Sequence, residues 1–186
     1  MNTSVKYGLI GGLIYIIAQM AVYLIDPQLM FSWNNVIAFM VVLIVIFAVC
    51  CVYAIRAKRK SLGGFIKFKQ AFTEAFITVV VISVLLNVFN FMLYTVIDPS
   101  LEEQLREFTL NSVAGWMEES LPEEQFDEIM SEMEDQDFIS PLNTLGGIVN
   151  FILYGAVVGL ITSAIMKRAD PEEAYRKAHQ DDTIDL

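Results

Sequence analysis

Four long apolar runs dominate this chain, and they leave few folds open to it. They are residues 7–25 (YGLIGGLIYIIAQMAVYLI), 36–55 (VIAFMVVLIVIFAVCCVYAI), 72–97 (FTEAFITVVVISVLLNVFNFMLYTVI) and 145–166 (LGGIVNFILYGAVVGLITSAIM). A helix needs about 20 apolar residues to cross the roughly 30 Å of hydrocarbon in a bilayer. The second and fourth runs hold no charged residue, and the third holds only Glu74, near its start. A helix in a soluble core seldom extends so far without a polar face. The runs therefore predict an all-α integral membrane protein. Its single domain, 1–168, is a four-helix bundle, followed by a short tail, 169–186. The first run is read as an uncleaved span, because it is too long for a signal peptide's apolar core and Ala18-Gln19-Met20-Ala21 is not a cleavage site.

Charge gives the orientation. Residues 97–143 hold fourteen Asp or Glu against one basic residue, Arg106, whereas the rest of the chain holds eleven Lys or Arg against eight acids. The segment between the second and third runs carries Arg56, Lys58, Arg59, Lys60, Lys67 and Lys69, and Lys167 and Arg168 follow the fourth run. Basic loops stay on the cytoplasmic side. Both termini are thus expected on the cytoplasmic side, and the acidic loop 98–144 on the outer side. Trp33, Tyr23 and Tyr94 fall near the outer interface and Tyr7 and Tyr53 near the inner one, as aromatic belts do. Such an acidic chain is not expected to bind nucleic acid.

The outer loop has its own periodicity. Leu101, Leu105, Phe108, Val113 and Trp116, and then Phe126, Ile129, Met130 and Met133, recur at helical spacing. They predict two amphipathic helices, about 99–118 and 121–134, with Ser120 and Glu123 as a capping box. Ahead of the third span, Phe65, Phe68, Phe72 and Phe76 share one face and Lys67, Gln70 and Glu74 the other. That segment reads as an interfacial lead-in, with Glu74 paired to Lys67 or Gln70. Asp-Pro pairs occur at Asp26, Asp98 and Asp170. Asp accepts a backbone N–H at a helix start and Pro fits the first helical position, so all three are candidate caps. The first two also follow matching pieces, Gln19-x-x-x-Tyr23 and Asn90-x-x-x-Tyr94, which leaves a duplicated helical hairpin open. The third lies on the opposite side of the membrane and does not fit a repeat.

Polar residues inside the spans form stripes. Ser83, Asn87, Asn90 and Tyr94 line one face of the third run; Gly8, Gly12, Tyr15, Gln19 and Tyr23 line the first. On the fourth, Asn150 pairs with Tyr154, and Gly155, Gly159 and Ser163 give a small-residue spacing on another face. Small residues let helices approach closely, and amides bond across them, so these stripes read as helix–helix glue. The alternative is a polar pathway between the first, third and fourth spans of an oligomeric transporter or channel. No Pro interrupts any span, unlike the broken helices of many transport sites. Cys50 and Cys51 are adjacent in an apolar run and read as buried small side chains.

No nucleotide-binding, metalloprotease, hydrolase or EF-hand pattern occurs, and the one histidine, His179, lies in the tail. No enzymatic activity and no cofactor is expected. The acidic run EEQFDEIMSEMEDQD lacks the glycine turn of a calcium loop and reads as a solvated face. The leading expectation is a non-enzymatic scaffold or accessory protein whose partners are the bilayer and a protein at the acidic loop.

The order of features resembles the bacterial family called domain of unknown function 4199. FKQAF (68–72) leads into the third span, IDPSLEEQL (97–105) closes it, an acidic helical loop follows, and GGIVNFILYGAVVGLITSAIMKR ends the domain. The resemblance covers about residues 5–168. It implies a four-helix inner-membrane protein, mainly of Bacteroidota, and carries over no functional residue.

Overall fold

A computed structural model describes residues 2–117, 122–134 and 136–168. It is all-α, and the described residues form six α-helices: α1 (Thr3–Ile25), α2 (Trp33–Ser61), α3 (Phe68–Met92), α4 (Ser100–Met117), α5 (Glu123–Glu134) and α6 (Pro141–Met166). Four of them are long and apolar enough to cross a membrane: α1, α2, α6, and α3 with its continuation to Ile97. The capping box at Ser120, the side chain of Trp116, the Asp170 cap and the 169–186 tail lie outside the described residues.

The helix ends follow local chemistry. Asp26 accepts from the backbone N–H of Gln28 at 2.9 Å and opens a short 3₁₀ turn, Pro27–Phe31. Ser140 caps α6, accepting from Asn143 N–H at 3.1 Å, with Pro141 at the first helical position. α2 runs six residues past the apolar stretch that predicts it, to Ser61. Arg56–Lys60 hold no helix breaker, and cations near a helix C-terminus complement its dipole. The helix stops where Gly63 and Gly64 take φ of 77° and 99°, a region open to glycine at little cost. An isolated bridge between Ile66 and Arg168 then ties this connector to the end of α6.

α3 is the central helix. It packs against α1, α2 and α6, and α2 also touches α1 and α6; among the described residues α1 and α6 do not touch. The core is apolar and filled by Leu43, Phe47, Cys51 and Ile55 of α2 and Ala75, Val79, Ile82 and Leu86 of α3. Glycines set the closest approaches. A Cβ on Gly12 would sit 2.6 Å from Leu85, one on Gly8 would sit 2.7 Å from Val81, and one on Gly155 would run into Val79. Gly159 is looser, 3.4 Å from Ala75. Side chains such as Ile14, Ile17, Val41, Ile44, Leu153 and Val157 point outward and are exposed, a surface suited to hydrocarbon rather than water.

α4 caps one end of these helices. Leu101 packs with Met30 and Leu93, and Phe108 lies against Phe31 and Trp33 at ring separations of 6.3 and 5.4 Å. Among the described residues α5 packs against α4 alone. Arg106 reaches over the ring of Phe138, 5.4 Å from its centre, and so links α4 to the segment that leads into α6.

Candidate functional site

Two polar clusters stand at opposite ends of the long helices. At the α4 end, Gln19 of α1 donates through Nε2 to Asn90 Oδ1 of α3 at 2.8 Å. One turn further, Tyr23 donates its hydroxyl to Asp98 Oδ2 at 3.1 Å. The other carboxylate oxygen of Asp98 accepts from Ser100, from N–H at 3.1 Å and from the hydroxyl at 2.6 Å, at the start of α4. Asp98 is thus both the cap of α4 and its tether to α1. The Ser100 hydrogen bonds, with that of Tyr23, hold its carboxyl below its ordinary value although partial desolvation opposes them. An open groove beside this cluster lies between Phe31, Ser32 and Trp33 on one side and Phe108, Asn111 and Ser112 on the other.

The two Asp-Pro ends differ by one residue, and the backbone shows where it went. Two residues separate Tyr23 from Asp26, and three separate Tyr94 from Asp98. α1 closes with Asp26 N–H on Val22 C=O, an i−4 bond of 3.1 Å. α3 closes with Asp98 N–H on Leu93 C=O, an i−5 bond of 2.9 Å, across a π turn at Leu93–Ile97. A π turn absorbs one extra residue without ending the helix. The matched positions of the two hairpins, Gln19 and Asn90, then meet each other directly.

The remaining stripe residues part company. Asn87 turns to α6: its Oδ1 stands where a Cβ on Gly147 would be, and its Nδ2 donates to Ser83 C=O at 2.9 Å. The hydroxyls of Ser83 and Ser163, and Gln19 Oε1, are buried without a hydrogen-bond partner among the described residues. Tyr94 packs into the cluster of Met30, Leu93 and Leu101. Asn150 and Tyr154 are exposed on the outside of α6 and do not join the others. The expected stripe between the first, third and fourth spans is divided because α3 separates α1 from α6. Gly8, Gly12, Gly155 and Gly159 all face α3 side chains.

At the opposite end Glu74 is buried, with 6% of its surface exposed. One carboxylate oxygen lies 3.2 Å from Lys58 Nζ of α2; the other accepts from the hydroxyl of Ser4 of α1. Thr78 donates to Glu74 C=O at 2.8 Å and lies 3.3 Å from Ser4 C=O. One carboxylate therefore joins α1, α2 and α3. The expected pairing with Gln70 is corrected: Gln70 instead accepts from the backbone N–H of Lys67 at 3.2 Å. Glu74 turns inward because α3 is surrounded, so even the face opposite its amides is covered. On the other face of α3, Phe68 stacks on Phe72 at 6.2 Å and Phe76 lies tilted against Phe72 at 5.8 Å.

A family model described as a protein of unknown function (DUF4199) matches residues 6–168. The chain belongs to that family. Neither the curated proteins nor the solved structures contain a match to it.

The matched DUF4199 region includes both polar clusters except Ser4. Ser4, Lys58 and Thr78 had no motif to announce them. The usable signal was Glu74 itself, since a carboxylate within an apolar helix needs a partner. Ending α2 at residue 55 put Lys58 on a loop; a helix through Ser61 puts it on the inner face. No three His, Cys, Asp or Glu gather as metal ligands among the described residues of this DUF4199 chain. Cys50 and Cys51 are buried, and Cys51 Sγ lies 3.7 Å from Ala75 C=O. Chemically, both clusters do the same thing: they fasten helices to one another through buried or half-buried hydrogen bonds.

Proposed function

We propose that this DUF4199 protein is a non-enzymatic scaffold of the bacterial cytoplasmic membrane: a four-helix bundle with both termini inside, holding an acidic helical module outward for a protein partner. The observation that carries this reading is α5. Among the described residues it touches only α4, and Glu123, Glu124, Asp127, Glu128 and Glu132 all face solvent on it. Beneath it, Phe126, Ile129, Met130 and Met133 are only half covered. A helix with an acidic row and an incompletely buried apolar edge suits a partner with a basic rim around an apolar patch. The orientation is supported by the basic residues, which gather at the end opposite α4 and α5.

The test is photo-crosslinking from positions 128 and 130 in native membranes. A distinct protein captured from both positions is expected, and capture is expected to fall when the five acids are replaced by Gln or Asn. Capture of no protein, or capture unchanged by neutralisation, overturns the reading.

A further inference from the structure

α6 carries an amide that the rest of the fold leaves unmatched. Asn150 is exposed, and its side chain makes no hydrogen bond to any described residue. Tyr154, one turn on, is 58% exposed, and its hydroxyl is likewise without a partner among the described residues. One turn before, Gly146 has open space where a Cβ would stand. These three lie on the side of α6 away from Gly155 and Gly159, which pack on α3.

Depth makes the exposure matter. A helix of 26 residues is about 39 Å long, and Asn150 is about 13 Å from its Pro141 end. Centred on roughly 30 Å of hydrocarbon, the helix places Asn150 about 9 Å below the nearer edge. No acyl chain offers a hydrogen bond there, and an unmatched amide in hydrocarbon is costly.

We infer that this face of α6 is a homodimer interface, in which Asn150 of one copy bonds Asn150 of the other across a two-fold axis; the inference rests on the reading of these helices as membrane spans. A second copy is the occupant because the amide is self-complementary. It carries both donors and an acceptor, so each of two symmetry-related copies can donate to and accept from the other. Gly146 supplies the close approach of backbones that such a pair needs. The helix from Pro141 to Met166 carries no charged residue, so two copies meet there without like-charge repulsion.

The experiment uses the purified full-length protein in liposomes, with donor- and acceptor-labelled copies mixed at graded protein-to-lipid ratios. Energy transfer rising with protein density is expected. Asn150→Leu is expected to lower the association constant about tenfold, the effect of one to two interhelical amide bonds. Asn150→Gln is expected to recover most of it, because it keeps donor and acceptor. Random mixing of wild-type copies at every density, or association unchanged in Asn150→Leu, overturns the dimer. So does crosslinking at position 150 that captures only a different chain from native membranes. Carbonate extraction of the same liposomes separates the two premises: a chain that stays in the pellet yet does not associate refutes the dimer alone. A chain released by carbonate refutes the membrane reading.

Discussion

Replacing Glu74 with Ala removes the only carboxylate that joins α1, α2 and α3 among the described residues. The side chain is almost fully buried, whereas its partner Lys58 is 42% exposed. The two halves of the loss therefore differ. Lys58 can turn to water or headgroups, so the ion pair itself contributes about 1 kcal/mol, nearer an exposed pair than a buried one. Ser4 is fully buried, and its hydroxyl would lose its acceptor, costing about 1–2 kcal/mol. Glu74→Ala is thus expected to destabilise the protein by about 2–3 kcal/mol. Glu74→Gln keeps an acceptor for Ser4 and loses only the charge, so about 1 kcal/mol is expected. Lys58→Met completes a cycle with Glu74→Gln, and a coupling of about 1 kcal/mol is expected. The assay is loss of helical circular dichroism in mixed micelles titrated with sodium dodecyl sulfate. A Glu74→Ala protein as stable as wild type, together with zero coupling, would refute the inference that this carboxylate fastens three helices.

Three further outcomes are expected. Gly12→Val drives a branched side chain into Leu85, where a bare Cβ is already at 2.6 Å, and should destabilise by about 1–3 kcal/mol in the same titration, whereas Gly159→Ala, facing Ala75 at 3.4 Å, should cost well under 1 kcal/mol. Tyr23→Phe removes the hydrogen bond from α1 to Asp98 and should raise protease cleavage within α4 without changing the helicity of the long spans. The hydrogen bonds depress the carboxyl of Asp98, so their stabilisation is full above its unfolded value, about 3.9, and is lost as pH falls through the lower folded value. Cleavage within α4 should accordingly stay constant from pH 5 to 8 and rise only in stronger acid.

Much of this architecture is legible in the amino-acid order, because crossing hydrocarbon demands length and apolarity that few other needs produce. The 7–25 and 145–166 runs each fall inside one observed helix. The Asp-Pro pairs at Asp26 and Asp98 mark ends because proline and a side-chain carboxylate act locally. Packing partners are a different matter. Periodicity puts Asn87, Asn90 and Glu74 on faces of α3, but which neighbour covers each face depends on how α1, α2 and α6 are arranged around it. That is why Gln19 meets Asn90, Asn87 meets the Gly147 backbone and Glu74 meets Lys58. The same limit misplaces Asn150: an Asn one turn from a Tyr looks alike on a covered and an uncovered face. Boundaries failed where charge followed apolarity, as at Arg56–Lys60, since basic residues sustain a helix as well as they end a span.

Labelling with a membrane-impermeant maleimide in intact cells measures most directly whether the acidic module stands outside. Cys50 and Cys51 are buried and should contribute little background. A reporter at Glu128→Cys should label before lysis, and one at Lys60→Cys only after it. Labelling at Lys60→Cys in intact cells, with Glu128→Cys protected until lysis, would contradict an outward-facing module and the scaffold role built on it.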